Sequence, residues 1–267
     1  MNKQASLIAF LDGFRFSLTR LLEAYKVPRS GCLHVGANFG QEAEVYDHLG
    51  FRKVVWVEGY APYRARLLEA VGSRSNHTVV GLMVSDVEGE QMEFSVASNT
   101  GSSTVFEPTD AWRSTFKNLE MVDKETVVCG RLDRVLLAEL DEATLNSLAF
   151  LVLDVEGSEL KALRSMGRLI ENVCFAFIEV SLREIFRNGP LLVDIDRFML
   201  SHSFERIYIK TGAASGDALY RRVSSVGAVR KVWMFLSAYC LQLFATLRLT
   251  NAFVWFKQWV KQLTVQS

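Results

Sequence analysis

Two short apolar runs in this chain each stop abruptly at a glycine turn. Cys32-Leu33-His34-Val35 runs into Gly36-Ala37-Asn38-Phe39-Gly40, and Leu151-Val152-Leu153 runs into Asp154-Val155-Glu156-Gly157. Runs this short and this apolar read as strands buried on both faces, the pattern of a parallel sheet covered by helices. In an open parallel sheet, ligands bind outside the carboxyl ends of the strands. A chain built this way gathers its polar functional groups along one edge.

The remaining sequence supplies the other parts of such a sheet. Residues 3 to 26 have helical spacing, with Leu7, Phe10, Leu11, Phe14, Leu18, Leu21 and Leu22 on one stripe and Pro28 beyond. This helix is expected to lie across the sheet. Strands at 32–35, 53–57 and 78–84 alternate with helices at 41–49 and 62–71, the latter with proline near its start and Gly72 after its end. That order implies parallel strands joined by right-handed crossovers. Residues 85–128 break the rhythm. There we expect a hairpin between Val84 and the run 92–96, turning at 86–90, then a long polar loop over the strand edge at 99–115. Alternation resumes with a helix at 132–140, a strand at 149–153, a helix at 158–166 capped by Ser158, a strand at 173–178 and a helix at 191–200. A hairpin of 206–210 and 218–221 closes the sheet with one antiparallel strand. The expected fold class is α/β. Its parts are an N-terminal helix (1–28), a cofactor-binding domain (29–223) and a helical tail (224–267).

The edge suits an adenosyl ligand. Gly36 and Gly40 let backbone approach where a Cβ would clash, and a helix starting near Gln41 points free amides at the turn. His34, Ala37 and Asn38 complete that segment. Glu58 ends the second strand, where a carboxylate accepts hydrogen bonds from both ribose hydroxyls. Ser85 and Asp86, after the third strand, fall where adenine is expected. Gly36-Ala37-Asn38-Phe39-Gly40 is not G-x-G-x-x-G, which disfavours the alternative of an NAD(P)-dependent oxidoreductase. The cofactor that best matches is S-adenosylmethionine (SAM). A catalytically silent SAM-binding or anchoring module is a further alternative.

Several words in fixed order carry a family resemblance: His34-Val35-Gly36-Ala37-Asn38-Phe39-Gly40-Gln41-Glu42, Val57-Glu58, Ser102-Ser103, Arg131-Leu132-Asp133, and Leu153-Asp154-Val155-Glu156-Gly157-Ser158-Glu159-Leu160. From about Gly31 to Arg222 the chain resembles the FkbM family of SAM-dependent methyltransferases. The resemblance implies the class I methyltransferase (Rossmann-like) fold, a mostly parallel seven-stranded sheet with helices on both faces. It also implies O-methylation of a carbohydrate, glycolipid or natural-product hydroxyl. Many family members carry Asp where His34 stands, an acid that helps to hold the methionine ammonium. His34 can do so only as a neutral acceptor, or it supports the turn.

Methyl transfer to an alcohol is an in-line displacement that depends on alignment and gains from a base. Asp154 ends the fourth strand, Glu156 lies in the same turn and Glu179 ends the fifth strand. These three carboxylates are the catalytic candidates, as a base or as ligands for a divalent cation that polarises the hydroxyl. The competing reading makes Asp154 a partner of its own turn's amides, and Glu156 and Glu159 solvated acids at a helix start.

Charge and cysteine usage bear on partners. The 267 residues sum to zero, which by itself suggests no nucleic-acid partner, and the resemblance implies a small-molecule or glycan acceptor. The zero hides an asymmetry. No Asp or Glu follows Asp217, and Arg221, Arg222, Arg230, Lys231, Arg248, Lys257 and Lys261 make the end of the chain +7 against −7 for the rest. Within it, 232–247 is uncharged but short for a bilayer span, at about 24 Å as a helix against roughly 30 Å of hydrocarbon. Phe253, Phe256, Trp259, Val260 and Leu263 share a face opposite Lys257, Gln258, Lys261 and Gln262. The tail therefore reads as a membrane-surface contact or as a helical hairpin buried in a homodimer or against the domain. Cys32, Cys129, Cys174 and Cys240 form no CxxC pair and read as reduced core thiols of a cytoplasmic protein. Asp12, Arg15 and Arg20 interrupt any signal-peptide core. The expected location is cytoplasmic, with room for peripheral attachment at the cytoplasmic face of a membrane.

Overall fold

Branched and aromatic four-residue runs set the centre of the molecule. A computed structural model describes residues 18–99 and 101–247. Strands β1 (Cys32–Val35), β2 (Val54–Val57), β3 (His77–Val80), β7 (Phe150–Leu153), β8 (Phe175–Ser181), β9 (Phe204–Thr211) and β10 (Ser215–Arg222) make one sheet in the order β3-β2-β1-β7-β8-β10-β9. The first five in that order are mutually parallel, and β10 runs antiparallel to both its neighbours. This is the expected mostly parallel seven-stranded sheet with a single reversed strand.

Alternate residues divide the core in two. Leu33, Val35, Val55, Val57, Leu151 and Leu153 face helices on one side. These are α5 (Leu132–Glu139), α6 (Glu142–Ser147), α7 (Glu159–Ser165), α8 (Leu192–Ser201) and α9 (Ala228–Thr246). Cys32, Val54, Trp56, Phe150 and Val152 face the other side. There they meet the described part of the first helix, α1 (residues 18–24), and helices α2 (Ala43–His48) and α3 (Ala61–Val71). Leu18, Leu21 and Leu22 of α1 are buried on the sheet face, as their stripe predicts. The helix ends at 24, two residues early, and Lys26 takes a positive φ.

The structure departs from expectation where long-range pairing decides. The third strand does not run from 78 to 84. β3 stops at Val80, and β4 (Met83–Val84) enters a second sheet, β4-β6-β5. There β5 (Gln91–Ala97) pairs antiparallel with β6 (Met121–Gly130), so the expected hairpin partner before Val84 is wrong. Four residues of β6, Asp123 to Thr126, are polar and exposed, which hides the strand from a search for apolar alternation. The loop at 99–115 contains α4 (Asp110–Thr115), whose cap Thr109 accepts a hydrogen bond from the Trp112 amide. One expected helix at 132–140 is followed by α6, capped by Asp141 accepting from the Thr144 amide at 2.6 Å.

Ser158 makes no side-chain cap on α7. Glu159 instead braces the turn before the helix, its Oε1 accepting from the amides of Val155 and Gly157 at 3.2 Å each. The second helix begins at Ala43 rather than Gln41 and is six residues long. Of the four cysteines, all free, only Cys32 and Cys129 are buried. Cys174 is exposed and Cys240 half-buried, against the reading of four core thiols. The tail is helical over 228–246. The amphipathic stretch 253–263 lies outside the described residues.

Candidate active site

The turn after β1 and the end of β2 are joined directly. The amides of Gly36 and Ala37 donate to the Val57 carbonyl, and the Asn38 amide donates to Glu58 Oε2 at 2.8 Å. Glu58 Oε1 accepts from the Tyr60 amide, also at 2.8 Å. The two places therefore converge on one cradle. Gly36 is required there: its φ is +84°, and a Cβ would fall 1.8 Å from the Asp154 carbonyl oxygen at the end of β7. At Gly40 (φ +70°) a Cβ would come 2.6 Å from Leu67 on α3. Ala37 is buried beneath the turn.

Burial raises the Glu58 carboxyl to about 7, against the opposing pull of the Tyr60 and Asn38 amides and the Arg64 charge. Glu58 thus sits where hydroxyl donors would favour its ionised form. Asn38 Oδ1 is buried with no hydrogen-bond partner among the described residues, an acceptor left over in the same turn. Beside the cradle, Tyr60, Tyr63, Phe94 and Val96 form an apolar cluster with Phe39 and Met83 packed against it. A carboxylate, a spare amide oxygen and an aromatic wall fit the ribose and adenine of an adenosyl group.

Three sequence candidates are placed elsewhere. His34 points under the sheet, stacked on Trp56 at 5.1 Å with its Nδ1 3.0 Å from the Tyr46 hydroxyl. Burial lowers its pKa to about 3, so it is a neutral ring bracing the turn from below. Ser85 and Asp86 turn to α7 instead of the cradle. Ser85 Oγ bonds Glu90 and accepts from Lys161, while Asp86 pairs with Lys161 and Arg164. The backbone of Met83, two residues earlier, lies against Gly59 next to Glu58. Arg131 belongs to the same brace: it pairs with Asp133 and donates to the Asp86 carbonyl.

The three catalytic candidates do come together. Asp154, Glu156 and Glu179 bring carboxylate oxygens within 4.8 Å of one another at the ends of β7 and β8. Glu156 holds a positive φ of 48° and Gly157 one of 103°, with Gly157 wedged against Phe186 and Phe106. The turn is locked from above by Thr104, whose hydroxyl donates to the Glu156 carbonyl at 2.6 Å. Residues 101–106 thus cross the edge, as expected of that loop. Tyr63 and the Ala97 amide both engage Ser103 Oγ, and Ser102 and Ser103 are buried.

Asp154 reaches solvent at the sheet edge, yet protein surrounds it, and the surroundings govern its titration. Burial, then the charges of Glu159 and Glu42, raise it to about 7, while a hydrogen bond with Glu179 pulls it back. Burial and neighbouring carboxylates hold Glu156 and Glu179 well above the usual range. Sequence reading missed one member, Asp217. In the β8–β10 register it stands opposite Glu179, and burial and Asp154 raise it to about 7 against the pull of Lys210. No motif marks Asp217; only the strand pairing brings it in. The cluster offers proton acceptors of near-neutral pKa and a set of hard oxygen ligands.

Comparison with known proteins gives the family. Among curated proteins none matches the chain in sequence. Solved structures similar to it include magnesium protoporphyrin IX methyltransferase from Synechocystis PCC 6803 with bound SAM (10% identity over 84% of this chain and 85% of that one, TM-score 0.47). A putative RNA methyltransferase from Pyrococcus horikoshii (11%, 80% and 84%, TM-score 0.45) is another. A third is a protein of the NADB-Rossmann superfamily from Streptococcus agalactiae (11%, 92% and 93%, TM-score 0.45). The methyltransferase FkbM domain matches residues 34–206, a span holding both the Asn38–Glu58 cradle and the Asp154–Glu156–Glu179 cluster. The chain belongs to the FkbM methyltransferase family and is a SAM-dependent methyltransferase.

Proposed function

We propose that this methyltransferase delivers the methyl group to a hydroxyl of a carbohydrate, a glycolipid or a related natural product. The observation that carries the reading is the convergence of Asp154, Glu156 and Glu179 within 4.8 Å at the edge next to the Asn38–Glu58 cradle. A polyol presents several weakly acidic hydroxyls, and a carboxylate of pKa near 7 can hold one in line and accept its proton as the new C–O bond forms. SAM supplies the electrophilic methyl group; Glu58, Asn38 and the apolar wall of Tyr60 and Phe94 hold and orient it. A cluster of acids also disfavours a phosphate backbone through like-charge repulsion, which argues against a nucleic-acid acceptor.

In this reading Asp154 is the base, because it reaches solvent at the sheet edge and shares a hydrogen bond with Glu179. The three carboxylates equally suit a divalent cation, which would neutralise their mutual repulsion and polarise the hydroxyl. Chelation separates the two roles. Activity that survives a chelator assigns Asp154 as base, whereas activity lost and restored by magnesium or manganese assigns the cluster to a cation. Labelled SAM offered with glycans, glycolipids and RNA tests the acceptor class, and transfer to RNA alone would overturn it. Asp154→Asn is expected to lower kcat by about 10²–10⁴-fold while leaving SAM affinity within about threefold; unchanged kcat removes Asp154 from the chemistry.

A further inference from the structure

Helix α9 is docked on one side and apolar on the other. Met234, Ser237, Ala238, Leu241 and Ala245 are buried against the domain. The anchor is ionic and internal: Arg206 pairs with Asp196 at 3.0 Å and donates to the Met234 carbonyl and to Ser237 Oγ. On the outward side Val229, Val232, Leu236, Tyr239, Leu243 and Leu247 are 54% to 85% exposed. Their spacing of three and four residues makes one continuous stripe along a 19-residue helix, about 28 Å long. Such a stripe on a soluble domain marks a contact surface.

Charge decides what fits it. No acidic residue follows Asp217. Arg221 and Arg230 are paired with Glu205, but Lys231 is exposed beside the stripe, and Arg248, Lys257 and Lys261 come after it in the sequence. An apolar stripe on a segment that carries cations and no acidic residue of its own matches a surface of anionic lipid headgroups over hydrocarbon. A second copy of the helix fits poorly. The positions flanking the stripe, Trp233, Phe235, Cys240 and Gln242, offer no complementary charges to set a register, and two positive segments would repel. No helix among the described residues is long and apolar enough to cross a membrane.

We propose that the outward face of α9 seats the enzyme on an anionic membrane surface. The chain path gives this contact a direction. β10 ends at Arg222, at the edge of the sheet opposite the active site, and α9 starts from there. The helix passes Arg206 at Met234 and reaches α8 at Gln242, whose Oε1 accepts from the Val193 amide in the first turn of α8. That turn follows β8 out of the active-site edge, so α9 runs towards that edge. Leu243 and Leu247 lie at its active-site end.

Flotation of the full-length protein tests the proposal, and it does so without reference to methyl transfer. We expect binding to phosphatidylcholine vesicles containing phosphatidylglycerol, little binding to phosphatidylcholine alone, and release as salt is raised. Leu236→Glu with Leu243→Glu should weaken vesicle binding by at least tenfold, roughly what losing two buried leucines implies. SAM affinity, unchanged in that variant, shows that the fold is intact. Lys231→Glu, which leaves the apolar stripe alone, should weaken binding to the anionic vesicles only. Wild-type protein that stays unbound to anionic vesicles overturns the proposal, and so does vesicle binding indifferent to the leucine substitutions. A wild-type dimer in lipid-free sedimentation that the leucine pair converts to monomer, with no vesicle binding by either, assigns the stripe to a second copy instead.

Discussion

Two carboxylate sites share one sheet edge and treat charge in opposite ways. At the cradle, each oxygen of Glu58 accepts a backbone amide at 2.8 Å, and Arg64 lies near. At the cluster, Asp154, Glu156, Glu179 and Asp217 face one another and the neighbouring acids Glu159 and Glu42, with Lys210 opposing them at Asp217. The first arrangement is preorganised to receive hydroxyl donors. The second stays frustrated until a proton, a cation or an acceptor enters, and near-neutral acids of this kind mark sites of chemistry. The difference teaches how one sheet edge can carry both a carboxylate satisfied by backbone amides and a set of acids held against one another.

Breaking the link between the sites should have the largest effect. Gly36→Ala sets a Cβ 1.8 Å from the Asp154 carbonyl oxygen at a φ of +84°, which the turn cannot absorb. We expect loss of soluble, folded protein, measured by yield and near-ultraviolet circular dichroism; a folded variant with native SAM affinity would show that the turn has more give than its geometry indicates. Next comes Glu58→Ala. Removing hydrogen bonds to a charged acceptor costs about 1.5–3 kcal/mol, so SAM affinity should fall about 10–100-fold by calorimetry, with acceptor KM little changed.

The cluster should respond in the reverse sense. Asp217 has a folded-state pKa of about 7, raised from an ordinary value of 3.8. The folded state therefore binds the proton more tightly, so folding loses stability as pH rises from about 4 to about 7 and stays low above that. Asp217→Asn should recover about 2 kcal/mol at pH 8, on the order of 5 °C in Tm, and nothing near pH 4. Unaltered Tm at pH 8 would mean that a bound cation already neutralises the cluster. The smallest effect is expected at Asn38, whose Oδ1 has no partner among the described residues. Asn38→Asp should keep Tm within about 2 °C while weakening SAM binding severalfold, because it adds a charge beside Glu58.

Both sites are partly legible in the sequence. The β1 turn, Glu58 and the Asp154–Glu156 turn announce themselves because apolar runs ending in glycine occupy consecutive residues. Glu179 follows from the end of another such run. Ser85 and Asp86 misled because their strand was extended past Val80; the chain leaves the large sheet there, and both side chains turn to Lys161 and Arg164. As an ammonium acceptor His34 would have to face the ligand edge. The pleat instead sends its ring to the Trp56 side of the sheet, a consequence of strand parity that is visible only once the turn's starting residue is known.

What the chain determines on its own is local. Steric freedom at Gly36, the two-sided burial of β1 and β7, and the all-basic end of the chain are properties of short windows, and each can be read from residue type and order. What the tertiary structure decides is which distant windows meet. Asp217 faces Glu179 through a register spanning 38 residues of sequence. β6 rather than the residues before Val84 pairs with β5, and α9 turns six large apolar side chains outward because Arg206 and Asp196 anchor its other face. The physical reason is range. Backbone conformation answers to neighbours a few residues away, whereas ionisation, strand partnership and exposure depend on what the folded chain brings within a few ångströms.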